Sequence, residues 1–243
     1  MNTEKSSGVK QLAGKRALVT GGASPLRAAI SRRLAADGLH VLIHANAGAA
    51  RAVTLVADIR ASGGFAELLV CDPADFTATK ATLASVVATG VPQIVVHSAG
   101  THDGVPMAGM SEAQWRGVVD VSLGGFFAAV RPLLLDMMAT RWGLVVAVPS
   151  VSALLGNRGR VKYAAAKAGL IGAAKSLARE VAGRGLTVNA VAPGVRASPV
   201  VDATTDAAGI AAPVPMKRAG HPRRWPRWSR FWYLIEPPMS QAR

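Results

Sequence analysis

From Lys15 onward the chain alternates short apolar runs with longer amphipathic ones, and this rhythm restricts the fold more than any other property of the sequence. The runs "KRALVT", "HVLIHAN", "FAELLVCD", "PQIVVHSAG", "GLVVAVPS" and "LTVNAVAPG" have strand length and are nearly continuous in apolar residues, as strands buried on both faces are. Helical periodicity fills the intervals. The first helix, after the glycines at 21 and 22, offers Ala28, Ile30, Leu34 and Ala35 for burial; a second, "ARAVTLVADIRASGG", is closed by glycines; others are predicted from Phe76 to Ala88, from Glu112 to Arg141, and from Tyr163 to Gly183. A strand that returns through a helix to a parallel neighbour does so by a right-handed crossover. The expected fold is therefore α/β, a Rossmann-like doubly wound parallel sheet with helices on both faces, in a single domain.

Composition agrees with one sizeable core, since half of the 243 residues are apolar. Cys71 is the sole cysteine, which excludes an intrachain disulfide and a cysteine metal cluster and suits a cytoplasmic location. No metal site is expected, because His97 has no second ligand at a motif spacing and reads as a core histidine. The N-terminal segment lacks an apolar run of signal-peptide length, so export is not expected. The apolar region from Val118 to Met138 is interrupted by Asp120, Arg131 and Asp136 and reads as a buried helix, not a membrane span. Net charge is +14; without Arg223, Arg224, Arg227, Arg230, Arg243 and Glu236 the body retains 23 basic and 13 acidic residues. A basic body can meet nucleic acid, a membrane surface or a soluble acidic protein, and no zinc-finger spacing or RNA-binding aromatic signature supports the first.

Ligands of doubly wound sheets bind beyond the carboxyl ends of the strands. Gly21, Gly100, Ser150 and Gly194 all fall at such ends. Thirteen positions after Ser150 comes Tyr163, and four positions later Lys167. On a helix a spacing of four places an ammonium beside a phenol, and a cation favours the phenolate. Tyr163 is then a candidate proton donor or acceptor for a substrate oxygen, with Ser150 hydrogen-bonding the same oxygen as charge develops on it.

Taken with the glycine turn and "VNAVAPG", these residues resemble the short-chain dehydrogenase/reductase family, and within it the 3-oxoacyl-(acyl-carrier-protein) reductases, from Lys15 to about Pro222. The resemblance implies a catalytic set of Ser150, Tyr163, Lys167 and Ser122, the last standing where the family has an asparagine. It implies cofactor contacts at Gly21, Gly22, Ala23, Ser24, Asn46, Asp72, Pro73, Ser98, Tyr163, Lys167 and Arg196. The family's T-G-x-x-x-G-x-G turn is altered, however, to Thr20-Gly21-Gly22-Ala23-Ser24-Pro25-Leu26-Arg27, so that Pro25 and Arg27 replace two glycines. Proline removes an amide donor and arginine adds bulk where the backbone approaches the pyrophosphate. The family's N-N-A-G appears as His97-Ser98-Ala99-Gly100. The second strand ends in "HANAG" without the acid that favours NAD, so NADP is the expected cofactor, with Arg27 and Arg51 as candidate partners for its extra charge.

Arg141 and Arg184 match the positions through which the resembled reductases bind acyl carrier protein, and the resemblance predicts a basic rim there beside the active-site mouth. The implied activity is NADPH-dependent reduction of a 3-oxoacyl thioester on acyl carrier protein, in fatty-acid or aryl-polyene-type biosynthesis, by a homo-oligomer. Two alternatives stand beside it: a reductase of free ketones or alcohols, and a member with impaired catalysis that retains a binding role. The division expected is an extension over 1–14, the reductase domain over 15–222, and a tail over 223–243 unlike the family. That tail holds Trp225, Trp228 and Trp232 around Pro226 and shows no helical period. Its codon classes, read one base upstream of Trp225, permit "VAAVVAFLVSDRAAYVT", the missing family pattern, which points to a frameshift near Pro222 and Arg223 and to loss of the last helix and strand.

Overall fold

The computed structural model describes residues 12–101 and 103–194. Within them the elements follow the predicted order. Strand β1 (Arg16–Thr20) leads to α1 (Pro25–Ala36), β2 (His40–Ala45) to α2 (Ala49–Ala61), β3 (Phe65–Val70) to α3 (Phe76–Ala88), and β4 (Ile94–His97) follows. Then come α4 (Glu112–Val119), a π-helical turn (Asp120–Gly124), α5 (Gly125–Ala139), β5 (Gly143–Ala147), the short α6 (Ser152–Leu155), α7 (Val161–Val181) and β6 (Leu186–Ala190). The strands form one parallel six-stranded sheet in the order β3-β2-β1-β4-β5-β6. Strand order reverses between β1 and β4, so the crevice at their carboxyl ends is the switch point of a doubly wound sheet. The α/β expectation holds.

Each face of the sheet has its own apolar layer. Side chains alternate along a strand, so Ala17, Val19, Val41 and Ile43 meet Ile30, Leu34, Leu55 and Ile59 of α1 and α2, whereas Leu18, Leu42, Val95 and Val145 meet Phe126, Val130, Leu133 and Met137 of α5 and Leu170 and Ala174 of α7. Ala28, Ile30, Leu34 and Ala35 are buried as their spacing required. The helical material from Glu112 to Ala139 is long and apolar enough to cross a membrane by length and composition, but 44% of its most apolar window lies inside the fold, with α5 against α3 and the sheet. Two local features lay beyond the sequence reading: the break of this helix by a π-turn, and the one-turn helix α6 just after Ser150. Arg196 and the whole of 223–243 lie outside the described residues, as does the expected loss of a last helix and strand.

Candidate active site

At the carboxyl edge of the central strands, a buried hydrogen-bonded chain fixes the floor of the crevice. The Ser98 and Ala99 amides both donate to Thr20 Oγ1 at 3.2 Å. Thr20 Oγ1 lies 3.0 Å from His97 Nδ1, and His97 Nε2 lies 2.9 Å from the Ser122 carbonyl. A carbonyl only accepts, so Nε2 carries the proton and Nδ1 accepts from the threonine hydroxyl, which defines one neutral tautomer. Burial, then the charge on Lys167, hold His97 down to about 3, so it stays neutral across the physiological range. His97 also meets Phe126 edge-on at 5.6 Å. Its role is structural, as the sequence suggested: it ties β1, β4 and the π-turn together.

Above this floor the predicted catalytic residues converge. Lys167 is buried on α7, and its Nζ donates to the Ala99 carbonyl at the end of β4 and to the Val148 carbonyl just past β5, both at 3.2 Å. The same Nζ lies 5.9 Å from the centroid of the half-buried Tyr163 ring one turn earlier. Ser122, fully buried in the π-turn, spends its carbonyl on His97 and leaves Oγ without a partner among the described residues. A methyl group placed on Gly100 would lie 3.1 Å from both Ser122 Oγ and Lys167 Nζ, so glycine keeps the space between these two groups open. Ser150 Oγ accepts the Ser152 amide at 3.2 Å, which leaves its hydroxyl proton to donate. The Val151 amide bonds the Pro193 carbonyl at 2.9 Å, and α6 packs against α7, so the Ser150 turn sits against the helix that carries Tyr163. Lys167 itself is pushed down to about 7, by burial first and then by the charge of Arg27.

The wall toward the phosphate turn is built differently from the family pattern. Gly21 and Gly22 adopt φ of 101° and 76°, and both amides bond the His44 carbonyl, at 3.1 and 2.6 Å. A methyl on Gly21 would fall 2.7 Å from Ala99 Cα, so this turn packs flush on the end of β4. Ala23 packs on the core, Ser24 caps α1 without a side-chain bond, and Pro25 occupies its first turn. Arg27 does more than add bulk: its guanidinium crosses to β4, donating from Nη2 to the Ser98 carbonyl at 2.7 Å and from Nε to the same oxygen at 3.1 Å. Ser98 Oγ, expected to serve the cofactor, accepts from Arg27 Nε at 3.3 Å. Asn46 is exposed at the end of β2; beside it Arg51 Nη2 would lie 3.4 Å from a methyl on Gly48. Asp72 Oδ1 accepts the Ala74 amide at 2.9 Å just beyond β3, and the buried Pro73 packs on Gly125. The residues present fit a dinucleotide: a glycine cradle flush with β4, an orphaned buried hydroxyl, and two cations of the sign a diphosphate requires. Where Pro25 withdraws a backbone donor, Arg27 offers a side-chain one.

One expectation needs correction. Arg141 and Arg184 are both exposed and the structure brings them close: the Arg141 backbone, at a φ of 50°, presses its carbonyl to 2.1 Å of where a Gly185 methyl would stand. They do not flank the mouth of this chain's own crevice. Each precedes its strand, β5 or β6, by two positions, so in a parallel sheet they lie at the amino-terminal edge, with Ser150 past the other end of β5. A five-residue strand separates the two edges by roughly 17 Å. A residue missed by the sequence reading is Lys162, which is fully buried and ion-paired with Asp103 of the loop after β4. That loop also bonds the approach to α7, with the Val105 amide on the Gly159 carbonyl at 3.0 Å.

With this geometry in view, the similarities to known proteins are informative. A family model described as "short chain dehydrogenase" matches residues 15–209. The 3-oxoacyl-(acyl-carrier-protein) reductase of Escherichia coli (strain K12) is 38% identical over 211 residues, covering 85% of this chain and 84% of the relative. That of Staphylococcus aureus (strain Mu50) is 37% identical over 194 residues, 79% of this chain and 78% of the relative. Among solved structures, a 3-oxoacyl-(acyl-carrier-protein) reductase from Agrobacterium tumefaciens C58 with NADP bound superposes with a TM-score of 0.84 at 27% identity, covering 91% of this chain and 88% of its own. A putative gluconate dehydrogenase from Agrobacterium tumefaciens gives 0.87 at 27% identity, with 93% of each chain covered. The parallel sheet, the family match over residues 15–209 and the 38% identity to a curated reductase lead to one conclusion: the chain belongs to the short-chain dehydrogenase/reductase family of nicotinamide-dependent oxidoreductases.

Proposed function

We propose that the protein is an NADPH-dependent ketoreductase that reduces the 3-oxo group of an acyl thioester carried on acyl carrier protein to the 3-hydroxy form, in acyl-chain biosynthesis in the cytoplasm. The observation that supports this reading is Lys167 beside the Tyr163 ring, with Ser122 across the space at Gly100 and the Ser150 turn against the same helix. The cofactor, when bound, supplies the hydride. Gly21, Gly22, Ala23 and Ser24 with Arg27 would hold its diphosphate, Asp72 and Pro73 would border the adenine, and Tyr163, Lys167 and Ser98 would face the ribose on the nicotinamide side, with Arg196 beyond. Arg51, beside Asn46 and Gly48, is placed for the 2′-phosphate that distinguishes NADP.

Toward the substrate, Ser150 donates its hydroxyl proton to the oxygen that becomes an alkoxide. Tyr163 Oη delivers the proton that neutralises it, and the ammonium of Lys167 favours the phenolate left behind. Ser122 Oγ faces the same spot as Lys167 Nζ and offers a hydroxyl for reprotonation. Exposed apolar residues, among them Phe76, Phe127 and Leu135, form the surface that a homo-oligomer would cover. The seat of Arg27 on β4 supports a second reading, a member slowed in turnover that keeps a binding role.

Titration with NADPH and NADH, followed by nicotinamide fluorescence, tests the reading together with turnover of a 3-oxoacyl thioester by Tyr163→Phe. Submillimolar binding with NADPH preferred, and loss of turnover in the variant at nearly unchanged affinity, is expected. Absence of binding to either nucleotide sinks the enzyme reading; tighter NADH binding sinks the cofactor assignment alone.

A further inference from the structure

Three consecutive carbonyls at the end of β4 carry two cations from different helices. Arg27 of α1 bonds the Ser98 carbonyl through Nε and Nη2 and reaches the Gly100 carbonyl from Nη2 at 3.5 Å. The carbonyl between them, Ala99, accepts Lys167 Nζ from α7 at 3.2 Å. Like charges gathered on neighbouring acceptors, in a place where burial already penalises charge, oppose one another. The guanidinium is fixed in charge, so the lysine must give way. Lys167 is accordingly pushed down to about 7, with burial and Arg27 as the causes, and is only half charged near neutrality. Among the described residues, the titratable neighbour below on β4, His97, is neutral and does not offset this, and Tyr163 lies one turn back on the same helix.

The acceptors that hold Arg27 on β4 are neutral: two backbone carbonyls and one hydroxyl. Hydrogen bonds from guanidinium to a phosphate are about twice as strong as bonds to neutral acceptors and form in pairs. Arg27 also lies in the first turn of α1, beside the Gly21–Ser24 turn, where such an anion would enter. We propose that Arg27 is a positioning residue that sets the charge of Lys167, and that a diphosphate captured at this turn draws the guanidinium off Ser98 and Gly100 and so restores the ammonium. As the anion binds, the Lys167 Nζ lone pair takes a proton from solvent in those molecules where it is still neutral, forming an N–H bond; no other bond changes. The anion half rests on the dinucleotide reading given above. It gives a function to the arginine that stands in place of a turn glycine: the catalytic lysine carries more of its charge when the phosphate site is filled.

The test uses ADP-ribose, a diphosphate diester that does not itself titrate near neutrality, with wild type, Arg27→Gly and Arg27→Met. Calorimetry at pH 7.5 in buffers of different ionisation enthalpy counts the protons taken up on binding, and lysine-selective carbon-13 NMR follows the titration of Lys167 in the free proteins. Wild type is expected to take up about half a proton, and both variants several-fold less. Lys167 is expected to titrate about one pH unit higher in both free variants than in wild type. An unmoved Lys167 titration overturns the proposal, as does equal proton uptake in wild type and variants. ADP-ribose binding without uptake refutes the proposal while the dinucleotide reading stands. Failure of ADP-ribose to bind at millimolar concentration removes both the anion half and that reading, and the NMR titration still decides whether Arg27 sets the charge.

Discussion

Replacing His97 by asparagine should cost stability at neutral pH and regain it in acid. At pH 7 both states of wild type hold a neutral histidine, and the folded state gains the bonds to Thr20 Oγ1 and the Ser122 carbonyl. An asparagine is shorter and satisfies one of these at most, which leaves a buried polar group unpaired at a cost of about 1–3 kcal/mol. Below its ordinary value of 6.5 the histidine of the unfolded chain takes a proton, whereas the folded one, held down to about 3, does not. The unfolded state then binds more protons, so the histidine's contribution is intact above pH 6.5 and is lost as pH falls toward 3. The slope approaches 1.4 kcal/mol per pH unit well below the unfolded value, or about 2.7 kcal/mol by two units below it. The variant lacks this term, and all other titrating groups cancel in the comparison. Urea unfolding of the two proteins from pH 7 to pH 4.5 should show the gap between them shrinking by about 2.5 kcal/mol and closing or reversing. Parallel curves across that range would refute the neutral buried histidine.

Asp103→Asn leaves the fully buried Lys162 without its counter-charge; because Asp103 is itself 49% exposed, the loss expected in urea unfolding is about 1–3 kcal/mol, below that of a wholly buried pair. Adding Lys162→Met should recover most of it, and an Asp103→Asn protein within 0.5 kcal/mol of wild type, a difference typical of ordinary surface positions, would mean that the pair is dispensable. Reversing Arg141 and Arg184 together to Glu tests whether this far edge serves the crevice of a neighbouring subunit: KM should then rise about tenfold for a carrier-borne 3-oxoacyl substrate and not for a small thioester, with the difference shrinking at high salt. Equal effects on both substrates would show that the change acts on the fold and not on a docking surface.

The strands and helices were legible because each carries its own period and its own stop. Phe76 to Ala88 is bounded in the structure where the sequence placed it, between the capping Asp75 and a terminal threonine and glycine. The spacing of the candidate pair was legible for the same reason: Tyr163 and Lys167 are one helical turn apart, whatever surrounds the helix. What could not be read is direction. Lys162 looks like a surface residue until the loop carrying Asp103 covers it, a contact across 59 positions that no local pattern encodes. Arg27 was visible as a misfit in the glycine turn, but only packing shows the guanidinium crossing to Ser98. The arginine pair is a different case, since the signal was present: residues that precede a parallel strand belong to the edge away from the site, and Arg141 and Arg184 both precede one.

The π-turn between α4 and α5 accommodates one residue more than a continuous α-helix needs, and this separates chain length from helix phase. Deleting a residue from Asp120–Gly124 would let the two helices fuse with Phe126, Val130, Leu133 and Met137 still on the sheet. The same deletion made within α5 would swing that face by about 100° and empty the core. Only the bulge, however, turns the Ser122 carbonyl to His97 and its hydroxyl toward Gly100 and Lys167. A chain shortened by one residue there would keep its apolar core while Ser122 lost its place between His97 and Gly100, a change that stability assays would overlook.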